Sequence, residues 1–234
     1  MTTRLDWIGL VRHGQSTGNV AREVAEDAGH AVIDIAERDA DVPLNDLGER
    51  QARAVGEWLA DNPPDLVVAS PYLRALDTAR LALGVAEDSG VEVPGGLRVD
   101  ERVRDRELGV LDLLTSRGVA ERWPDELQRK ERLGKFYYRP PGGESWADVV
   151  LRLRSLLAEL SAETPGQRVL FFAHEMTVFA LRYVLEAVPE RELLTAAART
   201  DVPNASVTAW ERGLEGGYRM TLAQETGHLG ALLS

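Results

Sequence analysis

Three short apolar runs, at 5–11, 65–69 (DLVVA) and 169–173 (VLFFA), are each bounded by turn or polar residues. Their apolar character is continuous instead of alternating, as in strands covered by helices on both faces, so they predict the parallel centre of a sheet. Helical spacing lies between them. Residues 46–60 repeat apolar positions at Leu47, Ala54, Val55, Trp58 and Leu59 before Pro63 and Pro64 stop the pattern. A second helix is predicted over 71–83, with Pro71 in its first turn, and a strongly amphipathic one over 145–163, ended by Pro165-Gly166. A fourth, 175–186, follows the third strand directly.

This alternation predicts an α/β protein: one domain over 1–234, a three-layer α/β/α sandwich with a mostly parallel central sheet and right-handed crossovers. Residues 113–141, rich in charge and aromatics, break the rhythm and read as an insertion of short helices over the end of the sheet where a ligand would enter. Residues 205–212 and 218–223 read as a hairpin of antiparallel edge strands across 213–217.

Composition narrows the chemistry. The 234 residues are 44% hydrophobic and 28% charged, which excludes disordered and fibrous classes. No apolar stretch reaches a membrane span and the N-terminal residues lack a signal-peptide pattern, so a cytoplasmic protein without a membrane partner is expected. The absence of cysteine leaves His, carboxylates, Arg and hydroxyls to carry chemistry. With 27 Lys and Arg against 38 Asp and Glu, the net charge of −11 argues against a nucleic-acid partner, whereas a small anion answers only to the few charges lining its pocket.

Ligands of open α/β sheets bind beyond the carboxyl ends of the strands, which makes the residues after each apolar run the place to search. The first run leads into Arg12-His13-Gly14-Gln15-Ser16-Thr17-Gly18-Asn19, the second into Ser70-Pro71-Tyr72-Leu73-Arg74, and the third into His174-Glu175. Two of four histidines thus occupy equivalent strand exits, and two arginines, Arg12 and Arg74, stand at the first and second. An imidazole is a competent nucleophile toward phosphorus, and guanidinium groups bind phosphoryl oxygens bidentately while staying charged. A second imidazole adds a donor to the in-line transition state, and Gly14 is expected to let the backbone approach an anion. With no metal-ligand spacing in the chain, neither metal nor cofactor is expected.

RHGQSTGN, SPYLRALDTA, PPGGES and FFAHEMT, in this order and at strand exits, resemble the histidine phosphatase superfamily, also called phosphoglycerate mutase-like. The resemblance implies that His13 becomes phosphorylated, that Arg12, Arg74 and His174 complete the phosphate pocket, that Asn19 adds a polar contact, and that Ser16 and Glu144 support it. The family's proton donor is usually a Glu four residues before a glycine; here the run is Arg104-Asp105-Arg106-Glu107-Leu108-Gly109, which places Asp105 there, with Glu107 as the substitute. Glu175 stands where the family usually has glycine and is expected to face solvent in the first turn of a helix.

The resemblance further implies a metal-independent phosphomonoesterase acting through phosphohistidine on a small phosphorylated metabolite; the alternatives are a phosphoglycerate mutase and a phosphate-binding or regulatory protein that has lost proton donation. Arg129, Lys130, Arg132, Lys135 and Arg139, interleaved with Phe136, Tyr137 and Tyr138, resemble the phosphatase-like members more than the mutase lid. Arg139 in particular is expected at the substrate, and cations here suit a second anionic group. Relatives also imply a homodimer through a sheet edge. Against these stand plainer roles: Asn19 as a helix cap, Glu144 and Ser145 as caps of the long helix, Asp105 as a surface partner of Arg104 or Arg106, and the 129–139 run as a solvated helix whose aromatics pack on the core. His30 and His228 have no evident partners.

Overall fold

In strand β4 (Arg168–Ala173), Val169, Phe171 and Ala173 enter one hydrophobic core while Leu170 and Phe172 enter another. Strand β1 (Trp7–Arg12) divides likewise, Ile8 and Leu10 on one face and Trp7 and Val11 on the other. Successive side chains of a strand point to opposite faces, so an unbroken apolar run requires two covered faces. The computed structural model, which describes residues 4–164 and 166–233, supplies both. Met1, Thr2, Thr3, Pro165 and Ser234 lie outside the described residues, and with them the start of the N-terminal segment and half of the Pro165-Gly166 helix stop.

One face is covered by α2 (Asp46–Asp61), through Ala54, Val55 and Leu59, and by α3 (Leu73–Asp88), through Ala79, Ala82 and Ala86. The other is covered by α6 (Trp146–Glu163), through Leu153, Leu156, Leu157 and Leu160, and by α7 (Glu175–Leu185), through Val178, Phe179 and Leu181. The fold is therefore the expected α/β/α sandwich. Its sheet has six strands in the order β3-β2-β4-β1-β5-β6. The first four, including β2 (Leu66–Ala69) and β3 (Leu97–Val99), are parallel; β5 (Val207–Arg212) and β6 (Tyr218–Glu225) are antiparallel.

Several elements depart from expectation. Helix α1 (Thr17–Asp27) follows the first motif directly, opened by a reciprocal cap between Ser16 and Asn19. β3 and α8 (Glu190–Ala197) were also unforeseen. Helix α3 starts two residues later than predicted, because Ser70 Oγ accepts the Tyr72 N–H at 3.2 Å and turns the chain before the helix begins; Pro71 belongs to that turn. Residues 113–141 form α4 (Ser116–Arg122) and α5 (Pro124–Leu133), and Tyr138 donates to Glu126 of α5 at 2.9 Å in the interior. Of this segment, Leu113 and Lys135 line the cavity at the sheet end. Among the described residues no helix is long and apolar enough to cross a membrane.

Candidate active site

All four parallel strands deliver a polar group to one end of the sheet. β1 ends in Arg12 and His13, β2 leads through Ser70 to Arg74, β4 leads to His174, and β3 leads through the 3-10 turn Glu101–Val103 to Asp105. They converge on a cavity of about 430 Å³ lined by Arg12, His13, Asn19, Arg74 and Asp105 among others. His174, 0% exposed, lies behind this lining, its ring 5.3 Å from that of His13.

His13 is oriented by its own loop. Nδ1 lies 2.8 Å from the Gly14 carbonyl oxygen, which fixes the proton on Nδ1 and leaves Nε2 with a free lone pair. The His13 carbonyl in turn accepts from Asn204 Nδ2 at 3.0 Å and from the Ala205 N–H at 3.2 Å. Gly14 serves this loop in a way the sequence did not suggest. A Cβ there would stand 2.5 Å from the Gly48 carbonyl oxygen, and its N–H donates to Thr78 Oγ1 at 3.0 Å, so the glycine admits the first turn of α2 and not an anion. Burial, followed by the charges of Arg74, His174 and Arg12, pushes the His13 imidazole well below its ordinary range and keeps it neutral.

Behind it, His174 Nε2 meets Ser70 Oγ at 2.8 Å, and its Nδ1 has no hydrogen-bond partner, standing 3.5 Å from Asp105 Oδ2. Burial lowers the His174 pKa to about 3, against the pull of Asp105 and with help from Arg74. The Tyr72 ring packs edge-on against His174 and its hydroxyl donates to Glu107 Oε1 at 2.5 Å. Ser70 and Tyr72 lay inside the second motif but carried no signal beyond a turn.

Asp105 and Glu107 both line the cavity but occupy different settings. Asp105 Oδ2 is 3.2 Å from Arg74 and Oδ1 accepts the Arg106 N–H at 2.8 Å. Burial works against this carboxylate, yet His174, Arg74 and the Arg106 N–H hold it below the usual carboxylate range. The plainer alternative, a surface ion pair of Asp105 with the Arg104 or Arg106 side chain, is absent among the described residues; Arg104 binds Glu144 at 2.6 Å instead. Glu144 does not line the cavity. It gathers Arg104, Arg152 and the Glu107 N–H, while Arg152 also donates to the carbonyls of Arg102 and Asp105, so the group clamps the loop that carries Asp105. The long helix is capped by Ser145 and Asp148, not by Glu144.

The arginines differ in readiness. Arg12 donates to the Val202 carbonyl, its Nε is buried without a partner, and burial lowers its pKa despite Glu175. Arg74 is 5% exposed and is held by Asp39, missed by sequence reasoning, through its carbonyl at 2.6 Å and its carboxylate at 3.0 Å. Asn19 commits Oδ1 to Ser16 and Asn204, so capping and cavity lining coexist in one side chain, and Ser16 lines the cavity too. Two more expectations, besides those for Gly14 and Glu144, fail. Arg139 is exposed and paired with Asp148 at 2.7 Å, away from the cavity; of the five cations in 129–139, Lys135 reaches it. Glu175 does not face solvent: it lines the cavity, where burial raises its pKa, and accepts the Val202 N–H.

The remaining histidines stay outside. His228 Nε2 meets the Ala205 carbonyl at 3.0 Å, and the His30 carbonyl accepts from Thr115 at 2.6 Å.

Two imidazoles, two guanidinium groups and a carboxylate around one small volume can bind a phosphoryl group and exchange it with a nitrogen nucleophile. A sequence profile described as "histidine phosphatase superfamily (branch 1)" matches residues 8–224. The chain belongs to this superfamily. A histidine phosphatase superfamily relative from Mycobacterium tuberculosis, glucosyl-3-phosphoglycerate phosphatase, is 32% identical over 189 residues, covering 77% of this chain and 75% of its own. The 2,3-bisphosphoglycerate-dependent phosphoglycerate mutase 2 of Gloeobacter violaceus is 30% identical over 218 residues, 91% of this chain and 89% of its own. The solved structure of a mycobacterial glucosyl-3-phosphoglycerate phosphatase with VO3 superposes with a TM-score of 0.72 at 29% identity, covering 94% of this chain and 100% of the other.

Proposed function

We infer that this protein is a metal-independent phosphomonoesterase that acts through a phosphohistidine on a small phosphorylated metabolite. The observation that carries the reading is the 2.8 Å contact of His13 Nδ1 with the Gly14 carbonyl, which presents an unprotonated Nε2 to the cavity beside Arg12 and Arg74. Charge developing on the phosphoryl oxygens meets the two guanidinium groups, and His174, whose Nε2 can take its hydrogen bond from Ser70, offers Nδ1–H to the same oxygens.

Asp105 manages the proton. It is ionised before phosphate binds because His174, Arg74 and the Arg106 N–H favour the charged form against burial. A phosphoryl group on the arginines offsets their charge, so the proton of a monoanionic ester passes to Asp105 on binding. His13 Nε2 then attacks phosphorus, the ester bond breaks, and Asp105 protonates the departing alkoxide. In the second half-reaction Asp105 takes a proton from water as its oxygen attacks the phosphohistidine, releasing phosphate and free His13. Glu107, tied to the Tyr72 hydroxyl, is assigned no proton transfer.

Beyond the phosphate cage, the cavity is lined by Arg106 and Lys135. Burial lowers the pKa of both, and among the described residues Lys135 makes no ion pair, lying instead over the Trp146 ring at 5.2 Å. Arg106 likewise makes no ion pair among the described residues, though Asp105 acts on it and Glu175 on Lys135 at longer range; partly buried cations without a direct ion-pair partner suit a substrate with a second anionic group. The names of the relatives, which specify phosphoglycerate derivatives, support that class. Hydrolysis is preferred to mutase activity because relatives named as phosphatases match in both sequence and structure.

The test is phosphate release from para-nitrophenyl phosphate in EDTA, with and without vanadate, by the native chain and His13→Ala. Vanadate-sensitive turnover that is lost in His13→Ala is expected; equal rates in both would sink the proposal. Isomerisation of phosphoglycerate dependent on a bisphosphorylated primer, without net phosphate release, would instead favour the mutase.

A further inference from the structure

The Arg74 guanidinium, which the phosphate reading requires, is already occupied. Its Nη1 donates to the Asp39 carbonyl at 2.6 Å and stands 3.0 Å from Asp39 Oδ1; its Nη2 lies 3.3 Å from Asp39 Oδ2 and 3.2 Å from Asp105 Oδ2. Asp39 therefore presents to Arg74 the two-oxygen face that a phosphoryl group would present. It sits in a 3-10 turn, Asp39–Asp41, within the connection between α1 and α2.

That connection is fastened near its ends, by Ile33 N–H to the Leu113 carbonyl, by Thr17 N–H to the Pro43 carbonyl and by a bridge between Ser16 and Leu44. Its middle is not. Among the described residues, every hydrogen bond joining residues 36–41 to anything outside the connection comes from Arg74; the others, such as Arg38 to Asp41, are internal. The neighbouring Ile35 and Val42 line the same cavity.

We propose that Asp39 is a further residue of the phosphate site, an internal anion that holds Arg74 through its carboxylate and must yield it to the phosphoryl group, so that binding unlatches residues 36–41. Phosphate affinity is then set in part by competition with Asp39 for the Arg74 guanidinium, whose Nη2 also meets Asp105. The proposal rests on the phosphate reading of the cavity but not on turnover.

Inorganic phosphate is the probe, titrated calorimetrically into the native chain, Asp39→Asn and Asp41→Asn. Asp39→Asn keeps the size of the side chain and removes the competing charge, so it should bind phosphate about tenfold more tightly at pH 8. Asp41, exposed and paired with Arg38, controls for surface charge and should match the native protein. The charged and titratable groups facing Asp39 are Arg74, Asp105, Asp112 and Tyr72. Burial raises the Asp39 pKa, so the native carboxylate takes up a proton on the acid side and the advantage of Asp39→Asn should shrink as pH falls.

Equal or weaker binding by Asp39→Asn would mean that Asp39 merely props Arg74, and would overturn the proposal, as would equal tightening by Asp41→Asn. Amide exchange in the native protein is independent of any variant: saturating phosphate should accelerate exchange at the Asp41 and Val42 amides while slowing it around His13. Protection of residues 36–41 would also overturn the proposal. Absence of turnover with this competition intact would remove the phosphomonoesterase and leave the Asp39 assignment standing.

Discussion

Keeping two imidazoles neutral inside the fold should make the protein sensitive to mild acid. His13 is 3% exposed and His174 0%, and burial is the largest cause of depression for both. A histidine whose folded pKa is depressed leaves the native state binding fewer protons than the unfolded chain. Its stabilising contribution is full above the ordinary value of 6.5 and is lost as pH falls from there toward the folded value, about 3 for His174. Between pH 7 and pH 5 that relation gives a loss of about 2 kcal/mol from His174 alone. The figure rests almost entirely on the unfolded-state value, because the folded value lies far below pH 5.

His13 acts in the same direction. Asp39 and Glu175, whose pKa values burial raises, act in the opposite one, so the histidine contribution must be isolated by substitution. Urea unfolding followed by tryptophan fluorescence at pH 7 and pH 5 would measure it in the native chain, His174→Gln and His13→Gln. The native protein should lose about 2 kcal/mol more than His174→Gln over this interval. Equal losses would refute the argument that His174 is buried neutral. The same depression keeps His13 Nε2 unprotonated in mildly acid solution, so nucleophile readiness and acid sensitivity have one cause.

Two further outcomes follow from the cavity. Asp105→Asn should lower kcat/KM, which reports the first half-reaction alone, by about 10²–10⁴-fold for an alkyl phosphate while affecting kcat/KM for para-nitrophenyl phosphate far less, since that leaving group needs no proton; equal effects on both would reassign Asp105 to holding Arg74. Lys135→Ala should raise KM about ten- to a hundredfold for a phosphorylated carboxylic acid and leave KM for para-nitrophenyl phosphate within about twofold, since one charge-assisted contact contributes roughly 1.5–3 kcal/mol; a matched rise for both substrates would place Lys135 outside any second anion site.

The sequence by itself determined the sandwich and the inner part of the site. An unbroken apolar strand needs both faces covered, and parallel strands all finish at one end, so His13, Arg74 and His174 were bound to meet once their strands were recognised. The reciprocal cap of Ser16 and Asn19 was also written locally, although helix α1 behind it went unread. β3 was not legible, because three residues, Leu97 to Val99, are too few for a period, and with it went the strand that carries Asp105.

Charge pairing belonged to the tertiary structure alone. Arg139 looked like a substrate contact until Asp148, nine residues away on the cap of α6, neutralised it. Glu175 looked solvent-facing until the chain around Val202 supplied an N–H. Asp39 reaches Arg74 across 35 residues, and Arg152 reaches the Asp105 carbonyl across 47. A side chain's position on a helix or strand follows from its neighbours in sequence, but its counter-ion is whichever group the packed layers bring within a few ångströms. The sequence therefore specified which groups reach the cavity floor, and the packing decided which of their charges remain available to a substrate.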